Sequence, residues 1–229
     1  MWLQLIFGIA ISIALSGGTV MAADNSNRGS SNIGLPELTQ TAIDPAFAPM
    51  LRDLQQRFPE YSTDKVILVD ATRQELVLIE NGQAAGRWTI STGEAGLGSQ
   101  SGSNKTPLGV HRVAKTYGQD APLGAIFKAR QNTGRVAEIL TEPGKRSNAD
   151  NVTTRILWLD GLEPGFNKGG NVDSFKRYIY IHGTDEEGRL GKPASHGCIR
   201  MSNQAVVDLF NRVGVDTLVV IAKRRSNDQ

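Results

Sequence analysis

One cysteine and three histidines are the residues here whose types and spacing could do nucleophilic chemistry. Two of the histidines flank the cysteine, in Ile181-His182-Gly183-Thr184 and Ser195-His196-Gly197-Cys198-Ile199-Arg200-Met201. A thiol becomes a competent nucleophile when a nearby imidazole or other positive group favours the thiolate. His196 lies two positions from Cys198, with its direction open. His182 ends the alternating stretch Tyr178-Ile179-Tyr180-Ile181, so in a strand it shares a face with both tyrosines while the isoleucines point oppositely. A histidine at a strand end is held by the sheet yet open to a cleft, a good station for a general base. Gly197 lets backbone approach closely, which suits amide donors aimed at a developing oxyanion. Arg200 is placed to anchor a carboxylate or to hold the loop by hydrogen bonds. Spacing alone leaves three readings open. They are a Cys–His acyl-transfer site, a buried thiol with structural histidines, and a metal site from His182, His196 and Cys198 with no further ligand pattern beside it.

The elements that must position these residues read mostly as strands. Val66 to Val69 is a short apolar run, followed by strand-like Glu75 to Glu80 and Arg87 to Ser91, and Asn81-Gly82 is a hairpin signal because both turn positions tolerate positive φ. Strand patterns return at Val110 to Ala114, Arg155 to Leu159, Tyr178 to Ile181 and Thr217 to Ala222. Between them Thr92 to Lys105 is loop-like, and Tyr117 to Asp150 reads as a polar excursion with little regular structure. Its Lys128, Arg130, Arg135, Lys145 and Arg146 suit either a solvated face or contact with an anionic polymer. Asp185 to Ala194, with Gly188, Gly191 and Pro193, reads as a loop arching over or beside a cleft. Two helices are legible: one from Asp44 to Phe58 with Asp44 as cap, and one after the N-cap Ser202.

Composition sets the limits. The 229 residues carry 25 Lys+Arg against 23 Asp+Glu, and a net charge of +2 is too small for a nucleic-acid footprint. A single cysteine cannot close an intramolecular disulfide. Residues 1–23 carry no charged side chain and end in Val20-Met21-Ala22-Ala23, the layout of a secretory signal peptide, except that the n-region lacks Lys or Arg. An uncleaved membrane anchor is the other reading, but the apolar run falls short of the ~18–20 residues of a spanning helix. The expected organisation is signal peptide 1–23, flexible leader and short helix 24–63, catalytic domain 64–223 and polar tail 224–229.

His182-Gly183 followed by Ser195-His196-Gly197-Cys198 resembles the signature of the L,D-transpeptidase catalytic domain, the YkuD-type family of peptidoglycan enzymes. Val66 to Asp70, the Asn81-Gly82 hairpin, Ser91-Thr92-Gly93 and Thr106-Pro107-Leu108-Gly109 are similar to that family's early strands and T-P-x-G turn. The resemblance implies a mainly β fold, a sandwich of mixed sheets with short peripheral helices. It implies Cys198 as nucleophile and His182 as its base and later proton donor, with the Gly183 carbonyl orienting the imidazole. Ser195, His196 and Gly197 would shape the cysteine loop. Arg200 stands where many members have Asn and others Arg. His111 lies outside the signature and reads as an ordinary strand residue. The implied donor is a peptidoglycan tetrapeptide stem that releases D-Ala. The acceptor would be an amine of a second stem, a wall-anchored lipoprotein, or water. No metal or organic cofactor is implied, and the exported protein is expected in the periplasm against the cell wall. A wall-binding module that retains the fold without catalysis is the competing reading, against which the intact His182/Cys198 pair speaks. A papain-like hydrolase is disfavoured because there the cysteine usually precedes its histidine.

Overall fold

The computed structural model describes residues 43–147 and 149–223. The expected signal peptide, the leader to residue 42 and the tail from 224 lie outside the described residues. Along the chain run helix α1 (Ala48–Arg57) and strands β1 (Lys65–Asp70), β2 (Glu75–Glu80), β3 (Gln83–Ser91), β4 (Gly109–Tyr117), β5 (Ala125–Lys128), β6 (Gln131–Val136), β7 (Val152–Gly161), β8 (Tyr180–Thr184) and β9 (Ile199–Met201). Helix α2 (Asn203–Arg212) and strand β10 (Leu218–Ala222) complete it. The strands form one hydrogen-bonded sheet in the order β4-β10-β1-β2-β3-β9-β8-β7-β5-β6, and β4 also pairs with β7. That last pairing joins the first strand of the series to the eighth, so the sheet wraps around its own core. The fold is mainly β and mixed: β1/β10 and β8/β9 are parallel, the other pairs antiparallel.

The continuous apolar runs are strands buried on both faces, with side chains sent alternately to two cores. Along β1, Ile67 and Val69 enter the interior while Val66 and Leu68 face α1. In β2, Leu76 and Leu78 go inward and Val77 and Ile79 outward; in β10, Val219 and Ile221 go inward and Leu218 and Val220 outward. Helix α1 closes the outer layer with Phe47, Leu51, Leu54 and Phe58. Helix α2 fills the inner core with Val206, Leu209 and Phe210, and its cap is the expected one, Ser202 Oγ accepting from Ala205 N.

The structure corrects three local readings. Asp44 does not cap α1; its side chain accepts from Ala46 N at 2.9 Å in a preceding turn, and the helix starts at Ala48 with Pro49 in its first turn. The excursion contains the β5–β6 hairpin, and β5 joins the sheet through Ile126↔Thr153 and Phe127↔Val152. Its strands are short and β6 is exposed throughout, so no apolar alternation announced them. The 185–194 segment does not arch over a cleft at its start: Asp185, Glu186 and Arg189 are buried.

Leu54 is 1% exposed at the centre of the outer layer. Leu54→Ala should lower unfolding free energy by about 2–5 kcal/mol in urea titration, whereas exposed Arg52→Ala should stay within about 0.5 kcal/mol.

Candidate active site

Strand alternation creates the site. In β8 and β9, Ile181, Ile199 and Met201 enter the inner core, so Tyr180, His182 and Arg200 take the opposite face. Register aligns His182 with Arg200 on β9 and with Ile156 on β7, and Tyr180 with Trp158. Cys198 directly precedes β9, and its side chain packs against the cluster formed by Ala125, Phe127, Ile156, Trp158 and Tyr180 on that same face. One sheet face, turned away from the main core, therefore carries Cys198, His182, Tyr180 and Arg200.

The imidazole of His182 is fixed in one tautomer. Its Nδ1 meets the Gly183 carbonyl oxygen at 2.7 Å; a carbonyl only accepts, so Nδ1 holds the hydrogen and Nε2 keeps its lone pair. Gly183 sits where a Cβ would lie 2.8 Å from Asn203 Oδ1 and 2.9 Å from the Thr153 carbonyl, so only glycine lets β7, β8 and α2 close this tightly. Asn203 completes the brace, donating to the Thr184 carbonyl (2.9 Å) and Glu187 Oε1 (2.7 Å) and accepting from Thr153 Oγ1 (2.7 Å).

Cys198 is half-buried, and its Sγ lies 3.4 Å from both the Tyr178 carbonyl and the Tyr180 amide. The thiol donates to the first and accepts from the second. Tyr178 departs from the expected alternation: its φ of 57° places it outside β8 and leaves it 53% exposed, which turns its carbonyl to the sulfur. Burial pushes the Cys198 thiol up to about 11, and burial likewise pushes His182 down to about 4. At neutral pH Cys198 is a thiol and His182 a neutral imidazole.

The cysteine loop is tied from both sides. Ser195 Oγ donates to the Cys198 carbonyl (2.6 Å) and accepts from Gly197 N (3.1 Å), so the Gly197 amide is already engaged. Thr106 Oγ1 donates to the Gly197 carbonyl (2.9 Å) and accepts from Gly93 N (2.7 Å). Gly197 has φ 116° and would place a Cβ 3.0 Å from the Lys105 carbonyl, so both backbone and space call for glycine.

Arg200 and His196 serve a different group. Arg200 is buried, with Nη1 donating to Glu186 Oε2 (2.9 Å) and Nη2 to Asp150, which also meets His196 Nδ1. Both side-chain partners of Arg200 are carboxylates of this chain, Glu186 and Asp150. Burial pushes the Glu186 carboxyl up, but Arg189, the Ser147 amide and Arg200 outweigh it and hold it below the ordinary range. His196 itself is exposed. Among the described residues no three His, Cys, Asp or Glu side chains converge as metal ligands. Thr106 was legible only as a turn, while Asp150, Glu186 and Asn203 carried no sequence signal because the partners Arg200 and Glu187 lie 14 or more positions away. His111 is wholly buried, its ring between the Gly109 carbonyl (3.1 Å) and Ser174 Oγ (3.0 Å).

Residues 64–221 match the family model YkuD, the L,D-transpeptidase catalytic domain. The chain belongs to that family. It is 54% identical over 158 residues to YqjB of Bacillus subtilis (strain 168), named as an L,D-transpeptidase, over 69% of this chain and 71% of that protein. Among solved structures, this L,D-transpeptidase family member is similar to L,D-transpeptidase 3 from Mycobacterium tuberculosis (14% identity, TM-score 0.45, 70% of this chain and 61% of that one). It is also similar to the Enterococcus faecium L,D-transpeptidase (20% identity, TM-score 0.43, 70% of this chain and 50% of that one).

Burial also holds His111 at about 4, well below the ordinary 6.5. For His111 and His182 the folded value lies below the unfolded one, so their contribution is complete above pH 6.5 and is lost as pH falls from 6.5 towards 4. Urea titrations between pH 7 and 4.5 should show stability falling by up to about 1.4 kcal/mol per pH unit for each histidine. His111→Gln should make that fall shallower; an unchanged slope would mean His111 does not resist protonation.

Proposed function

We propose that the protein is a peptidoglycan L,D-transpeptidase in which Cys198 is the acylated nucleophile and His182 its general base. The observation that carries this reading is the shared sheet face: His182 stands on β8 and Cys198 immediately precedes β9, the parallel strand beside it, with the imidazole oriented by Gly183 and its Nε2 unprotonated. Because the resting pair is neutral, deprotonation accompanies attack. Sγ leaves the Tyr178 carbonyl, passes its proton to His182 Nε2 and bonds to the carbonyl carbon of the L-to-D peptide bond of a tetrapeptide stem. The oxyanion lies against backbone amides at the cysteine loop, of which the Cys198 amide is the candidate because that of Gly197 is engaged by Ser195. Collapse breaks the C–N bond, His182 returns the proton to the departing D-Ala amine, and a thioester remains on Cys198. An amine of a second stem then attacks, giving a 3→3 cross-link and freeing the thiol. A lipoprotein amine in its place would attach protein to the wall, and water would hydrolyse the thioester. We place this chemistry in the periplasm, on the signal-peptide pattern of residues 1–23.

Intact-mass spectrometry of the protein mixed with a disaccharide-tetrapeptide should show an adduct equal to the stem minus D-Ala, absent from Cys198→Ala. Equal modification of the variant would sink the nucleophile assignment. His182→Ala should slow acylation by on the order of a hundredfold or more; a rate close to wild type would remove His182 from the mechanism.

A further inference from the structure

A cation lies directly on the residues that touch the sulfur. The guanidinium of Arg130 stacks 4.7 Å from the Trp158 ring centroid and 5.1 Å from that of Tyr178, and its Nη1 donates to Tyr180 Oη at 3.2 Å. Tyr178 and Tyr180 are the residues whose backbone carbonyl and amide meet Cys198 Sγ. The aromatic floor is itself rigid: Trp158 stacks on Phe175 at 4.0 Å and donates from Nε1 to the Phe175 carbonyl at 3.0 Å.

Nearby cations are committed elsewhere or differently shaped. Arg177 donates to the carbonyls of Gly98 and Lys105, and Arg146 and Lys145 pair with Glu94 and Glu142. Lys115 stands 5.8 Å over Trp158 but offers a point charge without a fork. Among the described residues Arg130 has no carboxylate partner, and one of its five N–H donors is engaged. The backbone sharpens the contrast. Ala129 and Arg130, the two turn residues of the β5–β6 hairpin, have φ of 48° and 67°, where glycine or asparagine is the favoured residue. An arginine stands where its backbone is left-handed and its head lies flat against the residues that meet Cys198.

We propose that Arg130 is a specificity-determining residue that receives a free carboxylate of the acyl donor through its unspent fork. This rests on the L,D-transpeptidase reading above. A tetrapeptide stem offers such a group at its terminal D-Ala or, where unamidated, on the diamino acid before it.

The test compares three donors, acid at both positions, amide at the terminus only, and amide at the diamino acid only, with wild type, Arg130→Gln and Arg130→Gly. Glycine suits the left-handed backbone, so its effect cannot come from a damaged turn. Wild type should favour the all-acid donor over one of the amides by ten- to a hundredfold in kcat/KM. Both variants should bring that ratio close to one, and the amide that discriminates identifies the carboxylate. Equal use of all donors by wild type, or a parallel loss on all three in the variants, overturns the assignment while leaving the transpeptidase reading in place. A wild type acylated by none of them overturns that reading, and the role of Arg130 with it.

Discussion

The parallel pairing of β8 with β9 is the constraint on which the other features of the site depend. It is three residue pairs long, Ile181↔Ile199, His182↔Arg200 and Gly183↔Met201. Because successive side chains alternate, sinking Ile181, Ile199 and Met201 into the core obliges His182 and Arg200 to share the opposite face. A slip of one residue would turn His182 and Arg200 into the inner core and the isoleucines to the opposite face, so the apolar core enforces the register of this face. Glycine at 183 then allows the neighbouring strand and α2 to approach within a distance that any side chain would forbid.

That same burial governs the electrostatics. Taking the thiol and the imidazole out of water disfavours the charged form of each, which raises one group and lowers the other. The site thus avoids an isolated buried ion pair, and the Cys198 thiol keeps its proton against the Tyr178 carbonyl. Charge is concentrated beside the cysteine loop instead. Glu186 lies between Arg189 and Arg200, and Asp150 bridges Arg200 to His196. Desolvating such ions is costly, and the cost is offset only when every partner is present. This network fastens Asp150, at the end of the excursion, to the strand that follows Cys198.

The aromatic cluster around Trp158 does comparable work on the other side of the sulfur. Its stacked rings form a surface against which a guanidinium can be held flat. The two-residue turn that carries Arg130 belongs to β5–β6, and β5 is held by pairing to β7, the strand that also carries Trp158. Cation and floor are therefore positioned by the same backbone.

Much of this protein was determined by the sequence itself. Apolar runs such as Val66 to Val69, the Asn81-Gly82 turn and the Ser202 cap act locally, through side-chain period, positive φ and a single side-chain hydrogen bond, and each appears where its chemistry requires. The spacing of His182, Gly183, Ser195, Gly197 and Cys198 was equally plain, because those residues lie within two short segments. Tertiary structure decided what those segments face. The contact of the Tyr178 carbonyl with Cys198, the pairing of Arg200 with Asp150 and Glu186, the brace from Asn203 and the position of Arg130 over Trp158 all join residues distant in sequence. No local period encodes such contacts, since their energies exist only once the sheet has closed and removed the groups from water.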